Sequence, residues 1–301
     1  MFINPHRKRS VPLRIIVPNM FTTVAMCCGL ASIQYSLKGD WDRAMFAVIL
    51  SAIFDSLDGR AARLLKVTSS FGEVLDSLAD FLSFGVAPAL LLYLWMFKRL
   101  EAHGPVLDLV GLAVVTAFVV CSAMRLARFT AAAARPAPVA STAPTSDVDA
   151  QRASLVKAKF FIGLATPSAA AAVMVPVMLS YSKIVGPWVR PVLGMPPVGV
   201  GGADDSAARL DSPASPEFWP AIAVMLYTGL IAFWMVSRIP MFSFKKMRVS
   251  GRAVVPILIC VVLVAALAVK DLWLLIAGLA LVYLATFPIS LVSQARIYKK
   301  S

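Results

Sequence analysis

Residues 54–80 read FDSLDGRAARLLKVTSSFGEVLDSLAD, and four aspartates, Asp55, Asp58, Asp76 and Asp80, fall within 26 residues of it. Apolar runs flank the stretch, Ala44 to Phe54 before it and Phe81 to Phe97 after it. Residues three or four apart share one face of a helix. Asp55, Asp58, Gly59, Ala62 and Arg63 therefore form one stripe, and Gly72, Asp76 and Asp80 form another. The segment from Lys66 to Ser70 is then the turn between two antiparallel helices. Counted from Val67, Asp58 and Asp76 each lie nine residues away, and Asp55 and Asp80 lie twelve and thirteen away. At about 1.5 Å of rise per residue the two pairs sit at matching depths.

Four carboxylates facing one another across two helices repel strongly unless a cation lies among them. Oxygen-only ligands favour a hard divalent ion, Mg²⁺ or Mn²⁺. Gly59, Ala62 and Gly72 keep the space beside the carboxylates open for something bulky. Arg63, one turn nearer the cytosol, offers a fixed fork to a phosphate. Carboxylates holding metal beside an arginine point to phosphoryl transfer, in which the metal neutralises charge on the transferred group. Glu73, near the interface, serves equally well as a helix-start residue.

The rest of the 301 residues says where this chemistry takes place. Hydrophobic types make up 59% of the chain and charged types 15%, against roughly 25% charged in soluble domains, and the mean hydropathy is +0.79. A soluble enzyme is excluded on that ground. Uncharged runs of about the length a membrane-spanning helix needs lie at Ile15 to Leu37, Phe81 to Phe97, Leu109 to Met124, Phe160 to Ser182, Phe218 to Ser237, Ala253 to Val269 and Leu272 to Ala295. An eighth, Ala44 to Phe54, continues in helical pattern through the aspartates to about Leu65. The expected fold is all-α: one polytopic membrane helix bundle of about eight transmembrane helices. An aspartate inside such a helix costs about 2.5–3.5 kcal/mol on insertion scales and is a functional hypothesis by default. The first run, long and containing Pro18 and Asn19, is expected to remain in the mature protein rather than be cleaved.

Of the 29 Lys and Arg, 21 fall in the segments on the side of the two termini, so both termini and the aspartates' end are expected to face the cytosol. The net charge of +13 is then a topology signal with attraction to anionic headgroups, and nucleic-acid binding is an unneeded explanation. A single integral membrane domain, 1–301, accommodates the basic N-terminus (1–14), a flexible cytosolic loop (131–154) and a Pro- and Gly-rich outward loop (184–217). Cys27, Cys28, Cys121 and Cys260 show no metal or redox spacing. His6 and His103 lie outside the runs, so the chemistry falls to the carboxylates.

Residues 55–80 fit D-x2-D-G-x2-A-R-x8-G-x3-D-x3-D at every fixed position, and on that motif the chain resembles the CDP-alcohol phosphatidyltransferases. The resemblance implies a divalent metal, Asp55, Asp58 and Asp76 as its ligands, and Asp80 as base for the acceptor hydroxyl and possible fourth ligand. It also implies that Asp55, Gly59, Ala62, Arg63 and Gly72 contact the CDP group. Asn19 and Thr22, near the cytosolic face of the first run, are candidates for lining the same donor site, with capping and helix-to-helix hydrogen bonding as the alternative use. The family often pairs, which implies a homodimer; small-residue runs such as AAAAV at 169–173 would permit close packing.

The acceptor is read from elsewhere. SLADFLSFGVAPA after the motif, MRLARF at 124–129, FIGLATPSAAA at 161–171 and VSRIPMFSFKK at 236–246 resemble the phosphatidylserine synthase branch, implying CDP-diacylglycerol and L-serine as substrates. The branch usually has proline at the position of Ala165. An amino-acid acceptor brings a carboxylate, so a further cation near the metal is expected; Arg125 and Arg128, or Arg238 and Lys245, fit that need, against ordinary anchoring by positive charge. Glycerol phosphate, an inositol compound or choline are the rival acceptors. An ion-coupled transporter is the rival of another class, and the chain holds no second aspartate cluster matching the first.

Overall fold

A computed structural model describes residues 13–65, 70–133, 160–162, 164–194, 218–237, 240–242 and 254–299. Helices α1 (Leu13–Leu37) and α2 (Trp41–Leu65) form an antiparallel hairpin. Gly39, at φ 72°, takes the left-handed conformation that ends α1, a geometry costly for other residues. Asp40 then accepts the Arg43 amide at 3.3 Å and starts α2.

The next helical unit has three parts: α3 (Ser70–Asp80), a π-helical segment (Phe81–Val86) and α4 (Ala87–Trp95). The π turn begins directly after Asp80. Such turns shift the register of everything that follows and concentrate at functional sites. Close packing accompanies it. Ser51 of α2 and Ser83 of the π segment both donate to the Ala25 carbonyl of α1, at 2.8 and 3.3 Å.

A 3₁₀ turn (Phe97–His103) leads into α5 (Pro105–Ala133). After β1 (Phe160–Ile162) come α6 (Thr166–Val173), α7 (Val175–Tyr181), α8 (Gly186–Val192) and α9 (Phe218–Val236). The chain closes with β2 (Pro240–Phe242), α10 (Val254–Lys270) and α11 (Leu272–Lys299). β1 and β2 pair antiparallel, Phe161 opposite Met241. This pairing joins two of the segments that suggested the acceptor. The core lies around α4, α5 and α6, with Trp41, Phe84, Trp95, Phe97, Phe118 and Met174 buried.

Among the described residues the fold is helical apart from these two short strands, and helices occupy parts of all eight apolar runs. Among the described residues four helices are long and apolar enough to cross a membrane: Ile16–Leu37, Phe71–Trp95, Pro105–Ala131 and Trp219–Val236. Leu258–Lys270 and Leu272–Thr286 are apolar but shorter. Large apolar side chains on the outside fit lipid contact rather than water; Leu226 is 70% exposed and Val262 66%.

Three expectations require correction. The run Phe160 to Ser182 is not one helix: it starts as a strand, becomes helical at Thr166, and breaks at Met174 before Pro176, which supplies no amide hydrogen. The loops are shorter than expected, because α5 extends through Ala133 and residues 186–192 form α8, whose Arg190 is buried and donates to the Ser180 carbonyl at 2.8 Å. The run 169–173 is consumed inside the molecule: Ala169, Ala170, Ala172 and Val173 are all buried. Ala165, in place of the usual proline, has φ −61° and ψ 141°, angles proline itself adopts.

Candidate active site

Two helix ends supply the carboxylates. Asp55 and Asp58 stand three apart on the last turns of α2, and Asp76 and Asp80 four apart at the end of α3. One oxygen each from Asp55, Asp76 and Asp80 lie within 4.8 Å of one another. Asp55 and Asp80 lie within reach of each other, an approach that two carboxyl groups make only with a proton or a cation between them. Asp80 Oδ1 is buried and has no hydrogen-bond partner.

Asp58 is placed differently from the other three. It is buried, and the Thr22 hydroxyl of α1 donates to its Oδ2 at 2.7 Å. Its charge still reaches Asp76. Asn19 lies one turn before Thr22 on the same face of α1, and of the two only Thr22 bonds to the cluster.

The donor set can hold a metal ion. Three oxygen donors, one of them with an orphaned atom, suit a hard divalent cation; among the described residues no sulfur or imidazole joins them. Beside the cluster, Gly59 has no atom within 4 Å of where a Cβ would lie, so open space adjoins the carboxylates. Arg63 Nε donates to the Gly59 carbonyl at 2.9 Å, which lays its guanidinium along that space. Ala62 and Gly72 are half-buried on the same two helices.

The two arginines of α5 separate. Arg128 is exposed, and its Nη1 donates to the Val236 carbonyl at 3.2 Å, completing the C-terminus of α9, where a cation is favoured. Arg125 is half-buried, with Asp80 and Tyr283 within reach of its charge. Its Nη1 donates to the Thr166 hydroxyl, and its Nε is buried without a partner. Arg238 and Lys245 lie outside the described residues. Sequence reasoning missed Thr166, Ser168 and Tyr283; the available signal was a tyrosine inside the apolar run of α11.

A family model described as CDP-alcohol phosphatidyltransferase matches residues 15–194. The chain is similar to proteins named CDP-diacylglycerol--serine O-phosphatidyltransferase. That of Mycobacterium leprae (strain TN) is 40% identical over 131 residues, 44% of this chain and 41% of the relative. That of Helicobacter pylori (strain ATCC 700392 / 26695) is 42% identical over 114 residues, 38% and 45% of the two chains. That of Saccharomyces cerevisiae (strain ATCC 204508 / S288c) is 37% identical over 132 residues, 44% and 40%. Each match spans less than half of the relative's length.

Proposed function

The chain belongs to the CDP-alcohol phosphatidyltransferase family, and on that premise we propose that it transfers the phosphatidyl group of CDP-diacylglycerol to the hydroxyl of L-serine, giving phosphatidylserine and CMP. The observation that carries this reading is the cluster of Asp55, Asp76 and Asp80 oxygens within 4.8 Å of one another, with Arg125 beside it.

Asp55, Asp58, Asp76 and Asp80 would hold the metal, Mg²⁺ or Mn²⁺. When bound, such an ion supplies charge neutralisation for the diphosphate and its leaving oxygen. Gly59 and Ala62 leave room for the nucleotide, Arg63 offers its guanidinium to a phosphate, and Gly72 clears the opposite wall. Asn19 and Thr22 line the α1 side. Asp80 accepts the proton of the serine hydroxyl. The serine oxygen forms a bond to the lipid phosphorus as the bond from phosphorus to the CMP oxygen breaks, and CMP leaves to the cytosol. Arg125 receives the serine carboxylate, as a guanidinium fork does well; Arg128, one turn on, contributes positive potential at the same end of α5.

The same reading has eight spans, both termini on the cytosolic side and the reacting groups near that face, so that acyl chains remain in the bilayer while the diphosphate meets the carboxylates. Assembly as a homodimer belongs to it too, with an interface away from 169–173.

The test is purified protein in detergent with CDP-diacylglycerol, Mn²⁺ or Mg²⁺, and separate serine, glycerol phosphate, inositol phosphate and choline. CMP release with serine and entry of radiolabelled serine into lipid are expected. Asp80→Asn should abolish both while leaving the unfolding temperature near wild type. Release of CMP with another alcohol and none with serine would overturn the acceptor, and full turnover by the Asp80 variant would overturn the mechanism.

A further inference from the structure

Two contacts set how α5 runs beside the helix that carries Asp76 and Asp80. Ser77 Oγ of α3 lies 3.3 Å from Thr130 Oγ1 of α5. Eight residues further on, a Cβ at Gly85 of the π segment would lie 2.8 Å from Ser122 Oγ, which is eight residues back along α5. The two stretches are therefore antiparallel and in step. Measured from the Ser77–Thr130 pair, Asp80 lies three residues along and Arg125 five, a difference in depth of about 3 Å at roughly 1.5 Å per residue. Arg125 thus stands level with the carboxylates. Among the described residues no ion pair within 4.0 Å joins it to them.

What holds its guanidinium is α6. This helix packs against the π segment, and its first residue, Thr166, is fully buried. The Thr166 hydroxyl accepts a hydrogen bond from Arg125 Nη1. That bond spares the other edge of the guanidinium, Nε with Nη2, the edge able to grip a carboxylate through two parallel bonds. Arg125 Nε is buried and has no partner. A buried donor left unpaired is costly, and the start of a helix disfavours a cation. An anion joining the guanidinium offsets both penalties.

We propose that Thr166 is a positioning residue: by taking Nη1 it turns the Nε edge of Arg125 toward the carboxylate of the acceptor. This inference rests on the serine-transfer reading. It makes the start of α6 part of the acceptor pocket's support and ties recognition of an amino-acid alcohol to one hydroxyl that touches neither substrate.

The experiment compares the full chain with Thr166→Val, Thr166→Ala, Thr166→Ser, Arg125→Gln and the double variant Thr166→Val with Arg125→Gln. Valine keeps the shape and removes the acceptor oxygen, alanine removes it with no chance of a clash, and serine keeps it. The KM for serine should rise by about 3- to 10-fold in the valine and alanine variants, the value of one hydrogen bond, and stay near wild type in Thr166→Ser. The kcat and the KM for CDP-diacylglycerol should stay within about twofold of wild type. In the Arg125→Gln background the valine substitution should add less than about twofold, because residues that act through one contact are not additive. A serine KM unchanged in both Thr166→Val and Thr166→Ala would overturn the inference and leave the serine reading intact. So would the same factor in the Arg125→Gln background, or equal losses for both substrates with a lowered unfolding temperature, since a purely structural threonine acts whether or not the arginine is present. A wild-type protein that releases CMP with a different alcohol and not with serine would remove the reading itself and the inference with it.

Discussion

The Thr22 hydroxyl of α1 donates to Asp58 Oδ2 of α2 at 2.7 Å, across 36 residues of sequence. Asp58 is buried, so this bond fixes which of its oxygens faces the other carboxylates. Thr22→Val keeps the shape and removes the donor. A hydrogen bond to a charged group is worth about 1.5–3 kcal/mol, so kcat/KM should fall by roughly ten- to a hundredfold, with Thr22→Ser close to wild type. Steady-state CMP release on the three proteins decides it; a valine variant with wild-type turnover would assign the bond to packing alone.

Metal should be visible without catalysis. Three carboxylate oxygens within 4.8 Å repel one another until a cation enters, so Mn²⁺ or Mg²⁺ binds the folded state preferentially. At a hundred times its Kd such a ligand stabilises by about 2.7 kcal/mol. Thermal unfolding in detergent should therefore shift upward with added Mn²⁺ and return on chelation, and Asp76→Asn should lose most of the shift. Equal shifts in the two proteins would place the ion elsewhere.

The arginines of α5 show what sequence spacing can and cannot resolve. Arg125 and Arg128 are three apart and share a helix face, so from sequence they are equivalent. The neighbours divide them: a helix C-terminus takes Arg128, while Arg125 is half-buried and bonded to Thr166. Arg125→Gln is accordingly expected to raise the serine KM at least tenfold more than Arg128→Gln, by the value of a charge-assisted hydrogen bond. Kinetics at saturating CDP-diacylglycerol test the difference, and equal effects would return the pair to general positive potential.

The same reasoning marks the limits elsewhere. Matching distances from Val67 anticipated the cluster of Asp55, Asp76 and Asp80, and it is α1 against which both α2 and α3 pack. Spacing on α2 could not foresee that Asp58 turns to α1, since Thr22 is distant in sequence. The π segment after Asp80 was equally hidden. FLSFGV contains nothing that breaks a helix; its packing shows instead in Gly85, where a Cβ would lie 2.8 Å from Ser122 Oγ. Apolar content alone merged 160–182 into one run, although Pro167 and Pro176 were there to divide it.

Asp271, between α10 and α11, predicts a pH effect far from the chemistry. Burial raises its pKa, but hydrogen bonds from Ser182 and from the Leu274, Ile184 and Lys183 amides outweigh burial and hold the carboxyl below its ordinary value of 3.8. The Ser182 hydroxyl donates at 2.6 Å. A depressed carboxylate stabilises the fold above the unfolded-state pKa, and that contribution is lost as pH falls through the folded-state value. Wild type should therefore lose stability below about pH 4 more steeply than Asp271→Asn. At neutral pH the variant should be less stable by about 1–3 kcal/mol. Unfolding temperatures across acid pH provide the comparison, and parallel curves would show that the charge of Asp271 contributes nothing.

Gly29 sits where α1 crosses the π segment at Ser83, which lies three residues beyond Asp80. A Cβ there would lie 2.5 Å from Ser83 Oγ and 3.1 Å from Ser83 Cα. The hydroxyl can rotate away, but the backbone cannot. Gly29→Ala must then push the π segment outward, at a cost of about 1–3 kcal/mol typical of overpacking, and carry Asp80 with it. The expected signature is a lower unfolding temperature together with a drop in kcat larger than the change in either KM, because Asp80 is the proposed proton acceptor. Adding Ser83→Ala removes the oxygen and leaves the backbone contact, so it should restore only part of both losses. Full restoration would mean that the hydroxyl alone was in the way, and no loss in the single variant would mean that α1 moves aside without disturbing Asp80.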